Sequence, residues 1–159
     1  MADVCEAVLL LHSDGGLSRL SGSQLRFSYR SLELPPNSVV LEAEFSLTPS
    51  SREHIRDKIR ALLNTRKDKQ PWRLPSAGSV FKNPPGDFAG RLIEAAGLKG
   101  IRVGDAQIST KHANFIVNRG QARASDILAL IQLAQEKVAH EFGVQLELEI
   151  EVVGNNHNT

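Results

Sequence analysis

The sequence predicts an α+β fold, and three observations carry that prediction. Apolar and polar residues alternate over 39–47 and again over 146–152, the period of a half-buried strand. Apolar residues recur at helical spacing over 125–142. Strand-like and helix-like segments follow one another without the regular alternation that a wound parallel sheet needs. A length of 159 residues fits one domain or two small ones, and a hydrophobic content of 41% supplies a real core. Nineteen basic residues against eighteen acidic ones leave a net charge of +1, which argues against a dedicated nucleic-acid binder. Aromatic residues at 5%, with no basic stripe, give a generic RNA-binding domain little support.

Val4 to Leu11 is rich in Val and Leu and reads as a buried strand, and Ser13-Asp14-Gly15-Gly16 is a turn signal. Leu17 to Leu20 returns as a short strand, and Pro35-Pro36-Asn37 breaks the chain. Over 39–47, Val39, Leu41, Ala43, Phe45 and Leu47 fall on one face, opposite Glu42, Glu44 and Ser46. Ser50-Ser51-Arg52-Glu53 matches a capping box and opens a helix with Ile55, Ile59, Leu62 and Leu63 as its inner stripe. Arg66 to Pro71 reads as a solvated linker and a domain boundary. A second helix is expected from Asp87 to Ala96, closed by Gly97. A third runs from Ser125, its expected N-cap, to Phe142, with Gly143 as terminator. The last strand places Leu146, Leu148, Ile150 and Val152 on one side. Its other side carries Glu147, Glu149 and Glu151, successive ones about 7 Å apart. Residues 155–159 read as a loose polar tail.

Cys5 is the single cysteine, so an internal disulfide is excluded and a reducing compartment fits. The apolar run Ala7 to Leu11 is too short for a membrane span and no basic region precedes it, so the expectation is a cytoplasmic protein without membrane partners. Lys111-His112 lacks companions at metal-ligand spacing, so no metal site is expected.

The chemistry concentrates in Pro75-Ser76-Ala77-Gly78-Ser79-Val80-Phe81-Lys82-Asn83-Pro84. Glycine lets backbone approach a ligand closely, and the bracketing prolines limit the loop's freedom. A Ser held there can donate a proton at a fixed point, although no nucleophile elbow surrounds Ser79, so a hydrolase reading is weak. Asp87-Phe88-Ala89-Gly90-Arg91-Leu92-Ile93 follows, then Gly104-Asp105-Ala106-Gln107-Ile108-Ser109, then Lys111-His112-Ala113-Asn114-Phe115-Ile116-Val117-Asn118.

In that order and spacing, these runs resemble the C-terminal domain of UDP-N-acetylenolpyruvoylglucosamine reductase. The likeness is specific from Pro75 to Gly154 and continues more weakly through Phe27-Ser28-Tyr29-Arg30. The resemblance implies an FAD- and NADPH-dependent oxidoreductase of peptidoglycan precursor synthesis. It implies Ser79 as the general acid, protonating the substrate carbon next to the carboxylate. Arg30 and Glu149 would steady the enolate, an Arg being suited because its planar fork never loses its charge. Like-charged neighbours raise the pKa of such a Glu, and the Arg lowers it. Tyr29, Lys82, Asn83, Gln107, Lys111, His112 and Asn114 would contact the substrate, UDP-N-acetylglucosamine enolpyruvate. Gly78, Ser79 and Arg30 would border the cofactor. As bare residues, each of these is more often a surface or loop-stabilising group.

Three positions depart from the family pattern: Leu32 where a Ser is usual, Asp105 for a Gly, and Glu151 for a basic residue. The short stretch from Arg30 to Pro75 resembles the branch without an additional substrate-covering loop. The Gly-rich turns that hold the flavin pyrophosphate have no counterpart beyond Gly15-Gly16, a weak phosphate candidate. The resemblance therefore implies a remainder of the FAD-binding domain over 1–70 and a substrate-binding domain over 71–154. It leaves an expressed fragment, a split gene product and a degenerate relative equally open. A non-catalytic UDP-sugar-binding module, or a partner for a separate flavin-binding chain, is the alternative.

Overall fold

The computed structural model describes residues 1–154, so the expected tail lies outside the described residues. The chain forms two compact units, Met1–Ile55 and a second from Arg56 onward. Both carry small antiparallel sheets and the helices lie almost wholly in the second, so the chain is α+β, as expected.

In the first unit, β1 (Cys5–Leu11) pairs antiparallel with β2 (Leu17–Ser21) and with β5 (Val39–Phe45), giving the order β2-β1-β5. The turn at Gly15 closes the first hairpin, its N–H bonding His12 O at 3.0 Å. A small hairpin of β3 (Arg26–Ser28) and β4 (Ser31–Glu33) adds Phe27 and Leu32 to a core of Cys5, Val8, Leu10 and Leu25. The half-buried reading of 39–47 needs correction. Val39, Val40, Leu41 and Phe45 of β5 are 41–57% exposed, and every residue of the strand is open to solvent. β5 is an edge strand, and alternation shows which face can be covered, not that something covers it.

Helix α1 (Arg52–Lys69) starts one residue later than the capping box suggests, because Ser51 Oγ, not Ser50, accepts the His54 N–H at 3.2 Å. It also absorbs most of the expected linker. Arg66, Lys67 and Lys69 form its last turn, where cations meet the negative end of the helix dipole. Its apolar stripe is real in spacing but 41–63% exposed at Ile55, Ile59, Leu62 and Leu63. Such surfaces favour association. The purified chain is expected to show a scattering mass that rises with concentration, and Ile59→Lys with Leu62→Lys to lower it. A clean monomer at every concentration would contradict this.

The second unit holds the larger core. Four short strands, β6 (Ser76–Ser79), β7 (Arg102–Val103), β8 (Ala106–Ile108) and β9 (Phe115–Asn118), make an antiparallel sheet in the order β6-β9-β8-β7. Helices α2 (Ala89–Ala95) and α3 (Ala124–Phe142) contribute Leu92, Ile93, Leu130, Ile131, Ala134 and Val138 to a cluster with Phe81, Ile108 and Leu146. Each fully buried large side chain there is worth roughly 1.5–3 kcal/mol. α2 is shorter than expected, since Asp87 and Phe88 precede it and Gly97, at φ +71°, follows. α3 begins one residue before Ser125. Asp126, rather than Ser125, supplies the capping oxygen, accepting the Arg123 N–H at 2.9 Å. Gly143 ends α3 at φ +67°.

The expected last strand is absent. One bridge, Phe81 to Leu148, stands in its place. Leu146 is buried while Glu147 and Glu151 are exposed, so the alternation survives without a ladder.

Candidate functional site

β6 runs beside β9, with Ser76 opposite Val117 and Ser79 opposite Phe115. Four residues of one strand therefore match three of the other, a bulge in which Ala77-Gly78 stand opposite Ile116. Gly78 sits at φ +93°, and a Cβ there would meet nothing within 4 Å. Its conformation, rather than crowding, demands glycine, and it leaves bare backbone facing open space.

The residues after half-buried Ser79 are held from both sides. Val80 N–H donates to Asn114 O at 2.9 Å, and Phe81 N–H donates to Asn114 Oδ1 at 2.9 Å. Asn114 Nδ2 donates back to Phe81 O at 2.8 Å. On the other side, Lys82 N–H donates to Glu147 O and Glu149 N–H to Val80 O, each at 2.8 Å. The structure thus brings Ser79, Lys82, Asn114 and Glu149 to one place, with Glu149 tied by its backbone to the residue after Ser79. Lys82 Nζ lies 3.5 Å from Glu147, so that carboxylate does more than face water.

Three predicted substrate ligands already make hydrogen bonds within the fold. Asn83 Oδ1 accepts the Ala89 N–H at 3.1 Å, at the start of α2. Asn114 is 4% exposed. Gln107, at 9% exposure, donates to Gly100 O and accepts from Arg119 Nη1 at 2.8 Å. Tyr29 and Arg30 form the two-residue turn between β3 and β4, in the first unit. Arg30 adopts φ +59°, a left-handed conformation that costs a non-glycine residue roughly 1–2 kcal/mol. Leu32 stands opposite Phe27 and packs on the core, which accounts for an apolar residue there. Asp105 is accounted for too: its carboxylate accepts the Gln121 N–H at 2.8 Å and pairs with Arg102 at 3.3 Å.

A cleft of about 570 Å³ opens beside β8 and β9. Lys67, Arg73, Lys111 and Arg119 line it with Trp72, Gln107 and Ser109, and among the described residues no carboxylate does. Lys111 Nζ also donates to Lys67 O in the last turn of α1. Four cations around an indole suit an anion attached to a flat ring. Sequence reasoning found Gln107 and Lys111 but missed Lys67, Trp72, Arg73 and Arg119. Single cations in separate segments leave no run to notice. A second cleft of about 430 Å³ is lined by Arg66, Trp72, Leu74, Gly78 and Phe115 among others.

His112 accepts the Asn114 N–H at Nδ1, 3.2 Å away, and stacks edge-on against Phe115. Burial, and then Lys99, hold its pKa below the ordinary 6.5. The folded state therefore resists protonation more than the unfolded one. That contribution to stability is complete above 6.5 and is lost as pH falls through the depressed folded value. Thermal midpoints are expected to fall on acidification through this window, and His112→Gln is expected to flatten the fall. An unchanged slope in the variant would contradict it.

Among the described residues, no group of three or more His, Cys, Asp and Glu side chains could hold a metal, and no helix is long and apolar enough to cross a membrane.

A small antiparallel sheet with a glycine bulge, a pinned serine loop and a cation-lined cleft define the class, a small α+β domain. Comparison with known proteins makes this particular. The family model described as UDP-N-acetylenolpyruvoylglucosamine reductase, C-terminal domain, matches residues 70–153. UDP-N-acetylenolpyruvoylglucosamine reductase 2 of Symbiobacterium thermophilum is 50% identical over 98% of this chain and 51% of its own length. The reductase of Moorella thermoacetica is 47% identical over 97% of this chain and 51% of its own length. The crystal structure of the Thermus caldophilus reductase superposes with a TM-score of 0.80 at 47% identity, covering 94% of this chain and 53% of that one. The chain belongs to the UDP-N-acetylenolpyruvoylglucosamine reductase family. It spans about half the length of the relatives it matches.

Proposed function

We propose that this chain is the substrate-binding and proton-delivering half of a reductase that converts UDP-N-acetylglucosamine enolpyruvate to UDP-N-acetylmuramate. The observation that carries the reading is the double pinning of the segment after Ser79, with Glu149 tied to Val80. Positioned proton transfer needs a hydroxyl that does not wander. Ser79 gives its proton to the carbon next to the substrate carboxylate. Arg30 and Glu149 steady the charge that develops there, an interaction useful because it grows toward the transition state. The cationic cleft takes the diphosphate and Trp72 the flat uracil, with Lys111 and Gln107 at its wall. Lys82 and Tyr29 contact the sugar side. Asn83 and Asn114 act by shaping backbone, and His112 by supporting Asn114.

The residues fit FAD in part. Gly78 offers bare backbone to a flat ring system, with Ser79 adjacent. The Gly15-Gly16 turn does not fit a pyrophosphate, because the Gly16 N–H is already bonded to Asp14 Oδ1 at 2.8 Å and that carboxylate repels phosphate. When bound, the flavin, reduced by NADPH, supplies the hydride. This division makes residues 1–70 a remainder of the flavin-binding domain and 71–154 the substrate domain, working in the cytoplasm.

Calorimetry followed by a turnover assay separates this from the alternative, a binding module without turnover. The reading expects heat with UDP-N-acetylglucosamine and no shifted flavin spectrum with FAD alone. It also expects substrate-dependent NADPH oxidation once the remaining half of a family member and FAD are supplied. Sugar-nucleotide heat without any turnover in that mixture favours the module. Tight FAD binding by this chain alone overturns the incomplete flavin site.

A further inference from the structure

We propose that Asn114 is a positioning residue that sets the backbone from which Ser79 and Glu149 act. The inference rests on the reading of Ser79 as proton donor. Three hydrogen bonds run from this one residue to the two positions after Ser79: its carbonyl to Val80 N–H, and its carboxamide to both sides of Phe81, all at 2.8–2.9 Å. It is 4% exposed, and Val80 and Phe81 are each 2% exposed. Water does not compete at such a place, and a lost partner leaves a buried peptide group unpaired.

Only an amide suits the position. It presents one donor and one acceptor side by side, as a peptide group does. Alanine leaves both groups of Phe81 unanswered, a carboxylate has no donor for Phe81 O, and glutamine is a methylene too long. The constraint spreads through Val80, whose carbonyl accepts the Glu149 N–H at 2.8 Å. Ser79 precedes the clamp and Glu149 hangs from it, so one residue, through its carbonyl and its side chain together, governs how the two stand to each other. Asn114 itself receives its alignment from His112, whose Nδ1 takes its N–H.

The test uses the isotope-labelled chain with Asn114→Asp. At neutral pH the ionised carboxyl still accepts from Phe81 N–H but cannot donate to Phe81 O. Protonated, it has an O–H and becomes an isostere of the amide, so acid restores the pair. The buried Phe81 O is then left without a donor, so the segment opens more often, and amide exchange at Val80 and Phe81 is expected to be about tenfold faster than in the parent at neutral pH. The Ser79 and Glu149 resonances are expected to shift, and the shifts to return to the parent positions on acidification. Val138, fully buried in α3, exchanges at the parent rate. His112, Glu147, Glu149 and Lys82 face the clamp, and Glu94 and Lys99 lie near His112; all are the same in both proteins, so the parent taken through the same acidification supplies the baseline. Asn114→Ser, which can bond only one side of Phe81, is expected to shift Ser79 with no recovery in acid. It serves also if the aspartate variant does not fold. Ser79 and Glu149 resonances that stay in place in the folded variants overturn the proposal, as do shifts in Asn114→Asp that acid fails to reverse. Full turnover in Ser79→Ala would instead overturn the proton-donor reading and leave the exchange result standing.

Discussion

Replacing Ser79 with alanine is expected to lower turnover by about 100- to 10,000-fold, the usual worth of a positioned proton donor. The assay is NADPH oxidation with this chain joined to the remaining half of a family member. The sugar-nucleotide affinity should change little. The hydroxyl sits on a pinned loop, whereas the ground-state grip on the anion falls to the cations of Lys67, Arg73, Lys111 and Arg119 at the other end of the site. A fall in kcat with KM nearly constant is thus the predicted pattern, since the lost interaction is one made as the proton moves. Ser79→Cys, which keeps a proton of lower pKa, should retain more activity than alanine. A large rise in KM with kcat intact would place Ser79 in ground-state binding instead.

The second large effect concerns stability. Phe81→Ala is expected to destabilise the second unit by about 3–5 kcal/mol, the range for truncating a buried aromatic residue. Phe81 is 2% exposed and sits in the cluster with Leu92, Ile93, Leu130 and Val138. Its backbone is also where Asn114 and the 146–149 segment converge. Loss of the ring therefore loosens the core and the serine loop together. A urea titration followed by near-ultraviolet circular dichroism checks the first, and UDP-N-acetylglucosamine affinity the second. A midpoint within error of the parent would show that the ring is not part of a cooperative core.

Much of this was legible in the residues. α3 announces itself through Ile127, Leu130, Ile131, Ala134 and Val138, and Gly143 closes it where a left-handed residue is needed. Ser79 stood out because proline and glycine punctuate its loop, and both act through backbone geometry that reads locally. What failed to read was whatever depends on a distant partner. The alternation of Leu146 to Val152 is a strand period, yet only Leu148 finds a bridge. The exposure of β5 and of the α1 stripe turns on what covers them, and no pattern within a segment encodes that. Asn83, Gln107 and Asn114 read as ligand contacts, and the bonds each also makes inside the fold did not read, because an amide's residue type does not name its partners. The cleft cations went unnoticed because the fold, not the sequence, gathers Lys67, Arg73, Lys111 and Arg119.

The central claim is that the serine loop, Glu149 and the cationic cleft form one site for an enolpyruvyl sugar nucleotide. Titrating the labelled chain with UDP-N-acetylglucosamine enolpyruvate, followed by amide resonances, tests it most directly. Saturable shifts are predicted at Ser79, Lys82, Lys111, Arg119 and Glu149 with a single dissociation constant. Shifts confined to other surfaces, or none at saturating ligand, would contradict it.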